Sequence, residues 1–380
     1  MSKLVSDSWK IIQEGFSAEK NRFFESIMAS GNGRMGLRGN HEEDYTGDTL
    51  KGTYIAGVYY PDKTRVGWWK IGYPEYFAKV LNAIDFIGIK VVINGENVDL
   101  ATCCFTNYRR ELDMKESILR RSFTFVGKDG SEYEIKTERF LSYADCDLAV
   151  IKYSLTGLSD EADVDFTPFL NGDVKNEDAN YDEKFWEYVS GEAGKSVSFL
   201  TMKTLKTNFN VSAAFTWELT GSDALENEAI SRNGGEFVGN RVRAKVRKNA
   251  TVTLTKYISV ISDRYYEADK ISNIACHKAE EAKKAGYESL FEAHKAKWDK
   301  IWSMGDITIR GDIKAQQGIR FNIYQLNCTY SGDDPRLNIG PKGFTGEKYG
   351  GSTYWDTEAF CLYFYLGTRE PQIARNLLEY

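Results

Sequence analysis

The chain has 380 residues, 42% hydrophobic and 27% charged, so it is long enough for more than one core and too apolar for extended disorder. Its formal net charge of −6 repels phosphate backbones and anionic lipid, and no basic tract interleaved with aromatics offsets it, which argues against nucleic acid or membrane as a partner. No apolar run reaches the roughly 18 residues of a spanning helix, and the opening MSKLVSDSWKIIQEGF lacks a signal-peptide core and cleavage site, so a cytoplasmic protein is expected.

Up to about residue 266 the signals are short strands and turns. Ser122–Val126, the turn Gly127-Lys128-Asp129-Gly130, and Glu132–Lys136 predict a hairpin on an Asp-Gly turn. Val252 and Leu254 alternate with Thr253 and Thr255, the pattern of a half-buried strand. Similar runs stand at Val91–Ile93, Ala149–Leu155, Val197–Thr201 and Ala213–Leu219. Together they predict a large antiparallel β-sandwich over residues 1–266. The aromatic share of 14% suits such a core, because Tyr, Phe and Trp favour strands, and it equally suits a surface that matches flat sugar faces.

From Glu267 the period changes. Ile271, Ile274, Ala275, Ala279, Ala282 and Ala285 recur at helical spacing until Gly286, and Leu290, His294, Trp298, Ile301 and Trp302 continue a second helix. Lys and Glu on the opposite faces predict a solvated helical linker over 267–311. Ile319, Ile323, Leu326 and Tyr330 mark a further helix, and Glu358–Leu366 and Pro371–Tyr380 read as helix starts. The last of these is still periodic at Ile373, Leu377 and Leu378 with no C-cap signal, so the chain is expected to be part of something longer.

Chemistry-bearing patterns are few. His41, His277 and His294 share no metal-ligand spacing, which predicts structural or surface places for them. Cys103, Cys104, Cys146, Cys276, Cys328 and Cys361 lack both zinc spacing and a disulfide framework, so reduced thiols are expected. Two stretches stand out. Ser30–Asn40 carries four glycines, which fits either a close backbone approach or a sandwich corner. Asn338–Phe360, NIGPKGFTGEKYGGSTYWDTEAF, is a glycine-rich loop that delivers Trp355 and Asp356 to a helix start. An indole stacks on an apolar sugar face while a carboxylate accepts from its hydroxyls; the same Asp356-Thr357 also reads as an ordinary N-cap with Glu358 in the first turn.

Gly340–Gly351 continuing into Tyr354-Trp355-Asp356-Thr357-Glu358 resembles the first barrel loop of glycoside hydrolase family 65. Ser30–Asn40, Tyr60–Lys70, Asn176–Trp186 and Gln316–Asn322 resemble the same family, and the Asp62–Lys70 run points to its maltose-cleaving branch. The resemblance implies a β-sandwich, a helical linker and, from residue 312 to 380, the first part of an (α/α)6 catalytic barrel. It also implies inverting phosphorolysis of maltose to β-glucose 1-phosphate and glucose, with inorganic phosphate as co-substrate, no cofactor or metal, and a homodimer. In that reaction a carboxyl of raised pKa protonates the departing oxygen while phosphate attacks the opposite face, so no carboxylate base is needed. Trp355 and Asp356 match the family's pair at the glucosyl (−1) subsite. The family's general acid and phosphate-binding residues have no counterpart here, and neither Glu347 nor Glu358 is taken for the acid, so the chain by itself is expected to be inactive. Phosphorolysis of trehalose, kojibiose, nigerose or trehalose 6-phosphate, hydrolysis as in an acid trehalase, and a non-catalytic carbohydrate-binding module are the competing readings.

Overall fold

The alternation at Val252–Thr255 belongs to a strand of 12 residues, Thr251–Ser262, deep inside a ten-stranded sheet. A computed structural model describes residues 2–65, 72, 74–232, 234–348 and 353–380. Val66–Lys70 of the Tyr60–Lys70 run and Tyr349–Gly351 of the glycine-rich loop lie outside the described residues.

The large sheet is antiparallel throughout and runs Lys3–Val5, Lys10–Glu14, Cys104–Asp113, Ile118–Val126, Glu132–Leu141, Leu148–Gly157, Thr251–Ser262, Asn210–Thr220, Val197–Thr204 and Trp186–Glu192. The predicted hairpin is its Ile118–Val126/Glu132–Leu141 pair, closed by Gly130 at φ +83°. A five-stranded sheet built on Ala162–Asn171 and Phe237–Val246 faces it. Phe123, Ile135, Tyr153 and Leu254 of the first sheet meet Val91, Val164, Phe166 and Val242 of the second in one core. Each such side chain contributes about 1.5–3 kcal/mol on burial. The mixed fold, antiparallel sheets followed by helices, is the one the strand and helix periods predicted.

The half-buried reading of Val252–Thr255 is corrected: Thr253 and Thr255 are buried as well. The same sheet is covered on its outer face by helix α2 (Ile271–Ala285), which lays Ile271, Ala275 and Ala279 on Ile261 and Ala214. Small residues bring that helix close, so α2 covers a face of the sheet. Gly286 at φ +81° turns the chain into α3 (Tyr287–Gly305). On α3, His294 is buried; its Nδ1 accepts from the Tyr143 N–H at 3.0 Å and its Nε2 donates to the Glu116 carbonyl at 2.9 Å. Burial pulls it down to about 4, so the ring is neutral.

Helix α4 (Ile313–Thr329) starts at Asp312, whose carboxylate accepts from the N–H groups of Lys314 and Ala315. The Gln316–Asn322 run explains itself here as a docking surface. Gln317 donates to the Lys10 carbonyl at 2.6 Å; Arg320 forks onto Asp306 at 2.8 Å and lies 3.5 Å above the Trp9 ring. One turn on, Tyr324 stacks on Trp298 with centroids 5.0 Å apart. A helix fixed at these points holds the loop that follows it. That loop leads to a π-helical turn at Thr357–Cys361, then α5 (Leu362–Thr368) and α6 (Pro371–Glu379); α1 is the short Asn21–Ile27. Among the described residues no helix is long and apolar enough to cross a membrane.

Candidate functional site

The two glycine-rich stretches meet. Gly33, at φ +84°, donates its N–H to the carbonyl of Cys328 at the end of α4, and a Cβ on Gly36 would fall 2.1 Å from the Phe344 ring. The close-approach reading of Ser30–Asn40 is therefore the one realised, and what approaches is the start of the second loop. The far end of this stretch is gripped by arginines from the large sheet. Arg139 donates to the carbonyls of Arg38 and Asn40, and Arg110 to that of Gly39. The adjoining Glu42 and Glu43 take Arg121 at 2.7 and 2.6 Å, all four per cent exposed or less. Burial raises the Glu42 carboxyl, and Arg139 and Arg121 more than offset this, holding it below the usual carboxylate range. His41 sits within this cluster, 3.0 Å from the Tyr108 hydroxyl, and His277 is exposed beside Glu281. Among the described residues no group of His, Cys, Asp and Glu is arranged to hold a metal ion.

The second loop is pinned to this base. Phe344 is buried and stacks parallel to Tyr54, the Thr345 carbonyl accepts from Arg38, and the buried Glu347 carboxyl accepts the Asp178 N–H at 3.1 Å. At its foot, Asn338 donates to Thr353 Oγ1 at 2.7 Å and Thr357 Oγ1 to the Ile339 carbonyl at 3.3 Å. Asp334, upstream, forks onto Arg336 at 2.9 Å; burial opposes ionisation, yet Arg336 and Tyr265 hold its carboxyl down to about 2.

Between α4 and the loop opens a cleft of about 470 Å³, floored by Asn322 and Gln325 and reached by Tyr354, Asp356 and Thr357. Asp356 occupies the N-cap position of the π-helical turn, but its side chain makes no capping bond and, among the described residues, no ion pair. The N-cap alternative thus holds for the backbone only. The carboxylate is left exposed in a cleft with amide side chains. Trp355 does not line this cleft; it stands at its rim, 68% exposed, tilted against Phe360 at 5.7 Å. The indole lies free of the interior. Glu347 and Glu358 lie outside the cleft, the first at the sandwich junction and the second exposed. Sequence reasoning missed the arginine cluster and the Glu347–Asp178 contact, since nothing local marks residues 169 positions apart as neighbours.

The pattern of Glycosyl hydrolase family 65, N-terminal domain, matches residues 11–301, and that of the Glycosyl hydrolase family 65 central catalytic domain matches residues 320–380. Maltose phosphorylase of Bacillus subtilis (strain 168) is 43% identical over 374 residues, 98% of this chain and 49% of the relative. Alpha,alpha-trehalose phosphorylase of Thermoanaerobacter brockii is 29% identical over 392 residues, 98% of this chain and 49% of the relative. A solved structure from the human microbiome, named as a candidate kojibiose phosphorylase, superposes with a TM-score of 0.90 at 26% identity, covering 100% of this chain and 49% of that one. The chain spans about half the length of the curated relatives it matches. With both patterns falling in family order on a fold of this likeness, the chain belongs to glycoside hydrolase family 65.

Proposed function

We propose that this chain provides the glucosyl-holding part of an inverting disaccharide phosphorylase that acts on maltose. The observation that carries the reading is the Asp356 carboxylate, placed at a helix start, uncommitted to capping and opening onto the cleft. A carboxylate in that position accepts from two adjacent ring hydroxyls, and Trp355 at the rim offers a face to the apolar side of the ring. What these residues do is bind and orient. As the family resemblance implies, a general acid for the leaving oxygen and cationic donors for phosphate come from outside this chain, so the chain alone holds sugar without cleaving it. The preference for maltose over trehalose, kojibiose or nigerose rests on 43% identity against 29%, 29% and 25%. The same reading divides the chain into a sandwich at 1–266, a linker at 267–311 and barrel helices at 312–380, in a cytoplasmic homodimer.

The test has two arms. Saturation-transfer NMR with glucose and maltose should report ring contacts that Asp356→Asn and Trp355→Ala abolish; unchanged contacts in both variants would reject the site. Mixing the chain with the second half of the Bacillus subtilis relative should release glucose 1-phosphate from maltose and phosphate, and release from kojibiose or trehalose instead would reject the substrate.

A further inference from the structure

Three carboxyls crowd the place where the glycine-rich loop touches the sandwich. Asp62 and Glu347 are no more than 2% exposed, and Asp178 stands between them. Among the described residues a single ammonium serves the group: Lys79 Nζ lies 2.9 Å from Asp178 Oδ2 and 3.9 Å from Asp62 Oδ2. The backbone supplies further donors, with the Asp178 N–H reaching Glu347 Oε2 at 3.1 Å and the Asn180 N–H reaching Asp62 Oδ2 at 3.0 Å. Among the described residues, one oxygen on each carboxyl is nevertheless buried and reached by no N–H or O–H: Glu347 Oε1, Asp178 Oδ1 and Asp62 Oδ1. Two ionised carboxylates cannot satisfy each other, whereas one proton between Glu347 and Asp178 satisfies two of the three orphaned oxygens at once, leaving Asp62 Oδ1. We propose that Glu347 is a positioning residue that fastens the glycine-rich loop to the sandwich by sharing one proton with Asp178, so that the wall of the Asp356 cleft is held from the β-rich side.

The surroundings favour a neutral partner. Burial first, then the facing Asp178 carboxylate, push the Glu347 carboxyl up to about 7, against the lowering effect of the Asp178 and Glu177 N–H groups. Among the described residues the other groups on this side are the Arg38 guanidinium, which donates to Thr345 and lies 3.8 Å from the buried Glu25 carboxylate, and the buried hydroxyl of Tyr54. Arg22, further out, is committed to Asp48 and Glu177. Because the folded carboxyl titrates above its unfolded value, docking is fully favoured in acid and is lost as pH rises through about 7, when the proton leaves to solvent and two carboxylates face each other. As an account of the cleft wall this rests on the glucoside reading; as an account of the fastening it does not.

Hydrogen exchange of peptides covering residues 340–348 and 176–180, corrected for intrinsic rates, tests the fastening without any sugar. In the unaltered chain, protection of both peptides should fall about tenfold between roughly pH 5.5 and 8.5. Glu347→Gln keeps a donor for Asp178 and should stay protected with no pH dependence; Asp178→Asn should behave alike from the other side. Protection that is flat with pH in the unaltered chain would overturn the proposal, as would either amide variant reproducing its slope. Loss of sugar contacts in Asp356→Asn bears on the glucoside reading alone, so the two can fail separately.

Discussion

The junction of α3 with α4 and the tract from Tyr354 to Tyr380 use the same residue types to opposite ends. At the junction Trp298, Trp302 and Tyr324 are interlocked, and Trp302 donates its indole N–H to the Met114 carbonyl at 3.1 Å. In the terminal tract Trp355, Phe360, Tyr363 and Leu378 are each more than 60% exposed. Both stretches are aromatic and helical. What separates them is whether an apolar surface lies opposite: the sandwich supplies one to Trp298, and none of the described residues supplies one to Tyr363. Composition therefore says that such faces exist, and tertiary neighbours decide whether they are core.

The contrast can be broken first at Trp298. Trp298→Ala should cost about 3–5 kcal/mol in denaturant unfolding, because the cavity opens against both Tyr324 and Tyr143. A loss below about 1 kcal/mol would mean that α4 is not held by this cluster. Next is Lys256, whose ammonium donates to the carbonyls of Phe86, Gly88 and Phe169 at 2.7, 3.0 and 2.7 Å. Burial pulls it down to about 7, with Asp85 opposing, while the three acceptors match its three N–H donors. Lys256→Met should cost about 3 kcal/mol by orphaning those carbonyls, read by thermal or urea unfolding.

A pH scan sharpens the comparison further. His294 titrates near 4 in the fold, below its ordinary value, so stability is complete above about 6.5 and is lost as pH falls toward 4, by up to about 3 kcal/mol. His294→Gln should flatten that part of the stability curve. At the small end, Tyr363→Ser and Trp355→Ala should leave the unfolding free energy within about 0.5 kcal/mol of the original. A large loss in either would show that the terminal tract is packed after all.

Much of this was legible in the residues. The strand runs and the two helices split at Gly286 fall where periodicity placed them, because period is a local property and sheets and helices each impose one. The glycines of Ser30–Asn40 fitted either a close approach or a sandwich corner, and Gly36 against Phe344 realises the first. Thr253 misled, since a polar residue at an outward position reads as exposed until the cover over that face is known. Asp356 was legible as a carboxylate at a helix start, but not that its side chain would decline to cap the turn. The Glu347–Asp178 contact was beyond reach, because pairing across two folded regions leaves no trace in spacing.

The fit of Gly36 under Phe344 has a consequence for recombining relatives. At that point backbone presses on a ring with no room for a methyl group, so the two glycine-rich segments behave as a matched lock. A chimera that takes its β-rich half from one homologue and its helices from another should assemble only if Ser30–Asn40 and Gly340–Glu347 travel together, whatever crossover point is chosen between them.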